Sequence, residues 1–477
     1  MGPYGARKRD DQGAKESAAN GDRLKYESSY SNSSSSFSSH SSPSIIAPLI
    51  ANPRSDLFRF KRNRVAVGAL DGTLIHAVGV AHDSRELTET MRDPSNNFPF
   101  PPAGIFSEMK SSINHLLLLS LIYFCGLFSN ARAIPRQRPF NNTIPALLIF
   151  GDSIVDPGNN DYVGTILKAN FPPYGRDFAN RAATGRFTNG QLPTDYIISY
   201  VGIKDYVPPY LNRSLSIDEL MTGVSFASAG SGFDPLTPRL FNVTPLQKQL
   251  EHFQEYRKRI EDAIGKGKTI NLIRKSVFLV SAGINDFSLN YFTTRLRRLN
   301  FSVSDYEKFV LQHLKEFIQG LLNQGATKIA MVGLPPLGCL PFIITSNTIP
   351  LTGRRCVERI NSIARGYNVL LQSELHRLQN TTPDKETKIY YADFYRPLQD
   401  LIQNYQIYGF EEVSSGCCGT GILETSFLCN PKTPICSDVS KYIFWDSIHP
   451  TDRAYYFVFQ AFRPLIDFII KDAVATN

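Results

Sequence analysis

From Thr143 onward, short apolar runs alternate with longer stretches of helical periodicity, the pattern of an α/β domain built on a parallel sheet. Ile144 to Phe150 (IPALLIF) predicts a buried first strand that delivers Gly151-Asp152-Ser153 at its carboxyl end. Further strands are predicted at Ser276–Ser281, Lys328–Val332 and Lys388–Ala392. They are followed by Ala282-Gly283-Ile284-Asn285-Asp286, by Gly333-Leu334-Pro335-Pro336 and by Asp393. Each strand therefore ends in a polar or glycine-rich loop, on the side of an open α/β sheet where ligands bind. Between strands, Leu246, Leu250, Phe253, Ile260 and Ile264 fall on one helical face, and Val310, Leu314, Phe317 and Leu321 on another. Ser304 and Glu307 read as a capping box for the second helix and Gly325 as its stop signal. With no internal repeat and no linker-like shift in composition, one domain is expected over residues 134–477.

The beginning of the chain reads differently. The apolar run Leu116–Phe128 is 13 residues long, too short to span a bilayer but right for the apolar core of a signal peptide. Lys110 precedes it and Ala131-Arg132-Ala133 follows as a small-residue cleavage site, so residues 109–133 are read as a signal peptide and the mature start is expected near Ile134. Residues 1–108 carry a serine-rich stretch, Ser28 to Ser44, and little periodicity, so no packed core is expected there. This segment is either a disordered extension or the product of a gene model begun upstream of Met109, and the second is favoured. Its 12 acidic beside 13 basic residues argue against an organellar transit peptide.

Cysteine usage agrees with secretion. Cys125 leaves with the signal peptide, and Cys339, Cys356, Cys417, Cys418, Cys429 and Cys436 remain, enough for three disulfides in an oxidising compartment. Cys417 and Cys418 are adjacent, so each is expected to pair with a later cysteine, with the connectivity open. A zinc site is disfavoured because the last four cysteines have neither paired C-x-x-C spacing nor a nearby histidine. Asn141, Asn212, Asn242, Asn300 and Asn380 each begin an N-x-S/T sequon, which places them on the surface of a secreted protein. The net charge of +8 is spread without long blocks of one sign. Dedicated nucleic-acid binding is therefore not expected, and attraction to acidic polymers or anionic surfaces would be mild. No second apolar tail follows the domain, so no transmembrane anchor is implied.

The histidines narrow the chemistry. Of the four after Ile134, His252 and His376 have polar helical neighbours and His313 flanks an apolar stripe. His449 stands apart in W-D-S-I-H-P-T, kept out of helical conformation by Pro450, with Asp446 three residues before it and Thr451 and Arg453 opening the last helix. A carboxylate there would fix the imidazole tautomer and stabilise the imidazolium. Ser153, at the end of the first strand on a loop predicted to enter a helix, can point its hydroxyl into the crevice and its N–H toward an oxyanion. The plain alternative for Asp152 or Ser153 is a helix cap. No G-x-S-x-G elbow occurs after Ile134, against an ordinary α/β-hydrolase.

Five stretches in order, FGDSIVDPGNN (150–160), FASAGSG (226–232), SAGINDF (281–287), GLPPLGCLP (333–341) and FWDSIHPT (444–451), resemble the GDSL esterase/lipase family, the plant-type secreted branch of the SGNH hydrolases. The resemblance covers about Asn142 to Pro464, and GCCGTG at 416–421 is similar to the same branch. It implies a three-layer α/β/α, flavodoxin-like fold with a central, mostly parallel sheet. It also implies Ser153 as nucleophile, His449 as general base, Asp446 as its orienting carboxylate, and an oxyanion hole from the Ser153 and Gly230 N–H groups and the Asn285 amide, with Gly232 the alternative to Gly230. No metal and no organic cofactor are implied, and the partner would be an acyl-ester or lipid substrate. Ser225 stands where asparagine is usual and Ile284 where threonine is common, differences expected to touch only the support of the oxyanion loops. The implied activity is a secreted carboxylic-ester hydrolase working through an acyl-enzyme. A wall-polysaccharide acyl esterase, an acyltransferase or an idle wall-binding glycoprotein of the same fold are the other readings. Loops 340–355 and 410–437 are expected to shape the pocket.

Overall fold

The computed structural model describes residues 144–347 and 353–475. The serine-rich extension, the signal peptide, the start near Ile134 and the sequon at Asn141 lie outside the described residues. Strands β1 (Leu147–Gly151), β2 (Val277–Ser281), β3 (Lys328–Val332) and β4 (Lys388–Ala392) form a parallel sheet in that order. Gly151 pairs with Ser281 and Val332 with Ala392. Along the free edge of β1 runs an irregular fifth segment. The Phe226 N–H donates to the Ile149 carbonyl at 2.7 Å and the Ser228 N–H to that of Gly151 at 3.0 Å. Ile149 and Ser225 pair in parallel. The chain thus leaves β1 toward one edge and returns to β2 on the other side of it, and at such a reversal a crevice opens beyond the strand ends.

Helices α1 (Pro193–Val201), α2 (Ile217–Met221), α3 (Leu246–Ile264), α4 (Lys266–Lys275), α5 (Val303–Asn323), α6 (Pro341–Asn347), α7 (Glu358–Thr381), α8 (Tyr395–Gln403) and α9 (Asp452–Ala475) surround the sheet. Successive residues of each strand point to opposite faces. Leu147, Val277, Leu279, Ala330 and Val332 face Ile197 and Ile198 of α1 and Phe462, Ile466 and Ile469 of α9. Phe150 turns the other way, edge-on to Phe253 of α3 at 5.7 Å and to Phe317 of α5 at 5.7 Å. Both faces are covered, which is why the strands read as nearly continuous apolar runs. The result is a three-layer α/β/α sandwich. Leu246, Leu250, Phe253 and Ile260 of the first predicted stripe are buried, and so are all four residues of the second. Each such side chain contributes roughly 1.5–3 kcal/mol when fully removed from water.

Two expectations are adjusted and a third is met. α5 begins at Val303, with Ser302 as its cap accepting from the Asp305 N–H at 3.2 Å, so the box of Ser304 and Glu307 does not form; Glu307 is buried instead. The first predicted strand is shorter than Ile144–Phe150 at its start and reaches one residue further, to Gly151. The disulfides join Cys339 to Cys356, Cys417 to Cys436 and Cys418 to Cys429, so both adjacent cysteines pair with later ones. A short parallel pair, β5 (Glu412–Gly416) with β6 (Tyr442–Phe444), carries the chain into the disulfide loop and into the segment that ends at His449.

Candidate active site

The site is built outward from Gly151. Its φ is +139°, and a Cβ there would lie 1.8 Å from the carbonyl oxygen of Ser281, so only glycine lets β1 and β2 close together at their carboxyl ends. The Asp152 N–H then donates to Ser281 O at 2.9 Å, and the chain turns, with Asp152 Oδ1 accepting from the Ile154 N–H at 3.2 Å. Ser153 sits on this turn. No helix follows directly: the chain passes through turns to a 3-10 segment at Asn159–Tyr162, and α1 begins only at Pro193. The expected loop into a helix is therefore replaced by an Asx turn at Asp152, followed by a segment whose Asn159 and Asn160 side chains donate to distant carbonyls of Ser225, Ala227 and Ala229.

His449 arrives from β6 and precedes α9, whose first turn is capped by Thr451 Oγ1 accepting from the Ala454 N–H at 3.2 Å. Its Nε2 lies 2.8 Å from Ser153 Oγ. Its Nδ1 lies 2.9 Å from Asp446 Oδ1 and 2.8 Å from Oδ2. Asp446 Oδ1 also accepts from the N–H groups of Ile448 at 2.9 Å and His449 at 2.7 Å. Burial pushes the Asp446 carboxyl upward, but the His449 ring and these N–H donors outweigh it and hold the group below the ordinary carboxylate range. The carboxylate is thus ionised at neutral pH, and it can only accept. His449 Nδ1 must carry the hydrogen, which leaves Nε2 with its lone pair toward Ser153.

Gly230 and Asn285 come from different elements and are joined through Ser231. Gly230 has φ +86° and lies between Ala229 and Ser231. Asn285 follows β2, and its Nδ2 donates to Ser231 O at 2.9 Å, which ties the amide to the Gly230 loop. That loop is braced at both ends by buried carboxylates. Asp156 Oδ2 accepts from the Ala229 N–H at 2.9 Å, and Asp286 Oδ2 from the Phe233 N–H at 2.8 Å. Gly232 is packed against Asp286, since a Cβ there would lie 2.2 Å from its Oδ1, whereas at Gly230 the nearest obstacle is the tip of Leu167 at 2.6 Å.

Residues 147–462 match the family model described as GDSL-like Lipase/Acylhydrolase. An Arabidopsis thaliana GDSL esterase/lipase is 50% identical over 341 residues, covering 71% of this chain and 90% of its own length. Two others from the same plant are 43% identical, one over 327 residues (68% of this chain, 80% of its own) and one over 311 (65% and 86%). The chain belongs to the GDSL lipase/acylhydrolase family. The blocks around Ser153, Gly230, Asn285 and His449 supply the residues just described. The GDSL serine and the histidine before α9 lie in hydrogen-bond contact although 296 residues separate them, and the aspartate three residues before that histidine extends the line.

In this GDSL protein, several functional neighbours carry no sequence signal of their own. Tyr174 donates to Asp446 Oδ2 at 2.8 Å, Thr425 Oγ1 to the same oxygen at 3.0 Å, and Phe187 packs against the His449 ring with centroids 5.1 Å apart. The Gln249 side chain brackets Gly151 from α3, accepting from its N–H and donating to its carbonyl, both at 2.9 Å. Asp156 lies inside a quoted block, where its three-residue spacing from Ser153 was the one available hint. Ser225, in place of asparagine, is buried and donates to Val155 O at 2.8 Å, so the exchange is accommodated. The remaining histidines lie on helices: His313 Nδ1 is 3.1 Å from Glu316 and His376 Nε2 is 2.9 Å from Asn380. His252 is half-buried, and burial draws its imidazole below the usual range. Of the described sequon asparagines, Asn242, Asn300 and Asn380 are exposed, whereas Asn212 is half-buried and its Oδ1 accepts from Ser214.

Proposed function

We propose that this ester hydrolase is a secreted serine enzyme that cleaves acyl esters or lipids through Ser153, His449 and Asp446. The observation that carries the reading is the unbroken line from Ser153 Oγ to His449 Nε2 at 2.8 Å and from His449 Nδ1 to the buried Asp446 carboxylate. His449 takes the Ser153 proton as the oxygen attacks the ester carbonyl, and Asp446 stabilises the imidazolium so formed. The N–H groups of Ser153 and Gly230 and the second hydrogen of the Asn285 amide receive the negative charge that develops on the carbonyl oxygen. His449 then protonates the leaving alcohol, and water releases the acid from the acyl-serine by the same steps in reverse. Three disulfides support an oxidising compartment, and the exposed sequons agree with it. Contact with acidic wall polymers would rest on the modest positive charge alone.

The test is hydrolysis of short- and long-chain p-nitrophenyl esters by the disulfide-bonded protein beside a folded Ser153→Ala control. Loss of turnover in the control is the expected result, and the chain-length profile defines the acyl group accepted. Equal turnover in both would sink the assignment of Ser153.

A further inference from the structure

Each oxygen of the Asp446 carboxylate has its own set of donors. Oδ1 is held by the backbone of its own loop, through Ile448 and His449. Oδ2 is held from outside that loop by two hydroxyls, Tyr174 at 2.8 Å and Thr425 at 3.0 Å. Neither residue touches Ser153 or belongs to the catalytic line.

Tyr174 is fixed on every side. Its ring is buried and packs edge-on against Phe171, Phe187 and Trp445. Its oxygen accepts from the Ser426 N–H at 2.7 Å, so its single hydrogen is left for Asp446. Thr425 and Ser426 sit within the segment closed by the Cys418–Cys429 disulfide. That segment is tied to the catalytic loop by the Ser447 N–H, which donates to Glu424 O at 2.8 Å. It is tied to the other wall through Ser426 Oγ, which donates to Ile166 O at 3.1 Å or Lys168 O at 3.0 Å. A carboxylate held only by its own loop could rotate about its side-chain bonds; four donors on two oxygens leave one orientation.

We infer that Tyr174 and Thr425 are positioning residues for the general base: by fixing Asp446 Oδ2 they set the plane in which the carboxylate receives His449 Nδ1. The inference rests on the triad proposed above. Its test is a double-mutant cycle in which kcat and KM for a short p-nitrophenyl ester are measured on the disulfide-bonded protein. The variants are Tyr174→Phe, Thr425→Val, Thr425→Ser and Asp446→Ala, together with Tyr174→Phe and Thr425→Val each combined with Asp446→Ala.

A hydrogen bond to a charged group is strong enough that Tyr174→Phe should lower kcat on the order of tenfold, with KM held within about twofold. Thr425→Val should lower kcat less, and Thr425→Ser, which keeps the hydroxyl, should restore it. Without the Asp446 carboxylate both substitutions should change kcat by less than about twofold, because their effect passes through that group. Near-normal kcat in a folded Tyr174→Phe, or the same loss in the Asp446→Ala background, would overturn the inference. Should Tyr174→Phe fail to fold by near-ultraviolet circular dichroism, the Thr425 variants decide by the same criteria. Full turnover in Asp446→Ala would overturn the triad itself and this inference with it.

Discussion

Asn285 shows how one side chain links fold and chemistry. Its Nδ2 carries two hydrogens, and Ser231 O at 2.9 Å takes one of them, which fixes the amide and leaves the other for the oxyanion role proposed above. Removing the amide should therefore cost transition-state stabilisation and little else. Asn285→Ala is expected to lower kcat by ~10²–10³ with KM nearly unchanged. Steady-state kinetics on a folded sample check this, and a variant with near-normal turnover would refute the role. Gly151 makes the complementary case for backbone. Gly151→Ala would drive a methyl into Ser281 O, and since that oxygen is backbone between two central strands, the variant is expected not to reach the native fold in expression and thermal-melt assays.

At the scale of elements, the loop 228–234 is irregular backbone held in place by side chains from two other segments. Asp156 Oδ1 accepts from the N–H groups of Gly158 at 2.8 Å and Asn159 at 2.6 Å while Oδ2 accepts from Ala229. Asn160 Nδ2 donates to Ala229 O at 3.0 Å, and Asp286 holds the far end. Asp156→Ala leaves three buried N–H groups without an acceptor, at roughly 1–3 kcal/mol each. The expected outcome is a Tm lower by several degrees together with a reduced kcat. A folded Asp156→Ala protein with unchanged kcat would show that this brace serves stability alone. The same logic explains what local pattern missed. The capping box expected at Ser304 and Glu307 does not form because Glu307 lies on a buried face of its helix, which local sequence does not reveal. Tyr174, Thr425 and Gln249 act across 272, 21 and 98 residues, and no periodicity encodes such distances.

For the molecule as a whole, the buried carboxyls make stability depend on pH. Burial pushes Asp152 up to about 8, Asp286 up to about 7 and Asp156 up to about 6. In the unfolded chain each ionises near the ordinary aspartate value, so between about pH 4 and pH 8 the folded protein holds more protons than the unfolded one. Stability must then fall as pH rises through that window. Asp446, held low, acts in the opposite sense, and its contribution is lost only as pH falls below the usual carboxylate range. The melting temperature is therefore expected to be higher near pH 5 than near pH 8, and Asp152→Asn should flatten the profile. A Tm that rises steadily from pH 5 to pH 8 would contradict it.

What the amino-acid sequence determined by itself was local or repetitive. It includes β1, β2 and β3, legible because strands buried on both faces read as nearly continuous apolar runs, the half-buried β4 by its apolar and aromatic run after Lys388, and the helical stripes, legible because one face of each helix must meet the core. It also includes the blocks carrying Ser153, Gly230, Asn285, Asp446 and His449, where short-range backbone geometry demands particular residues. Only the tertiary structure decided which cysteines meet, that Ser153 lies in an Asx turn with no helix directly after it, and which distant side chains hold the site in shape. Those choices depend on packing between segments far apart in the chain, and packing energy belongs to neighbours in space, whose identity a linear pattern does not contain.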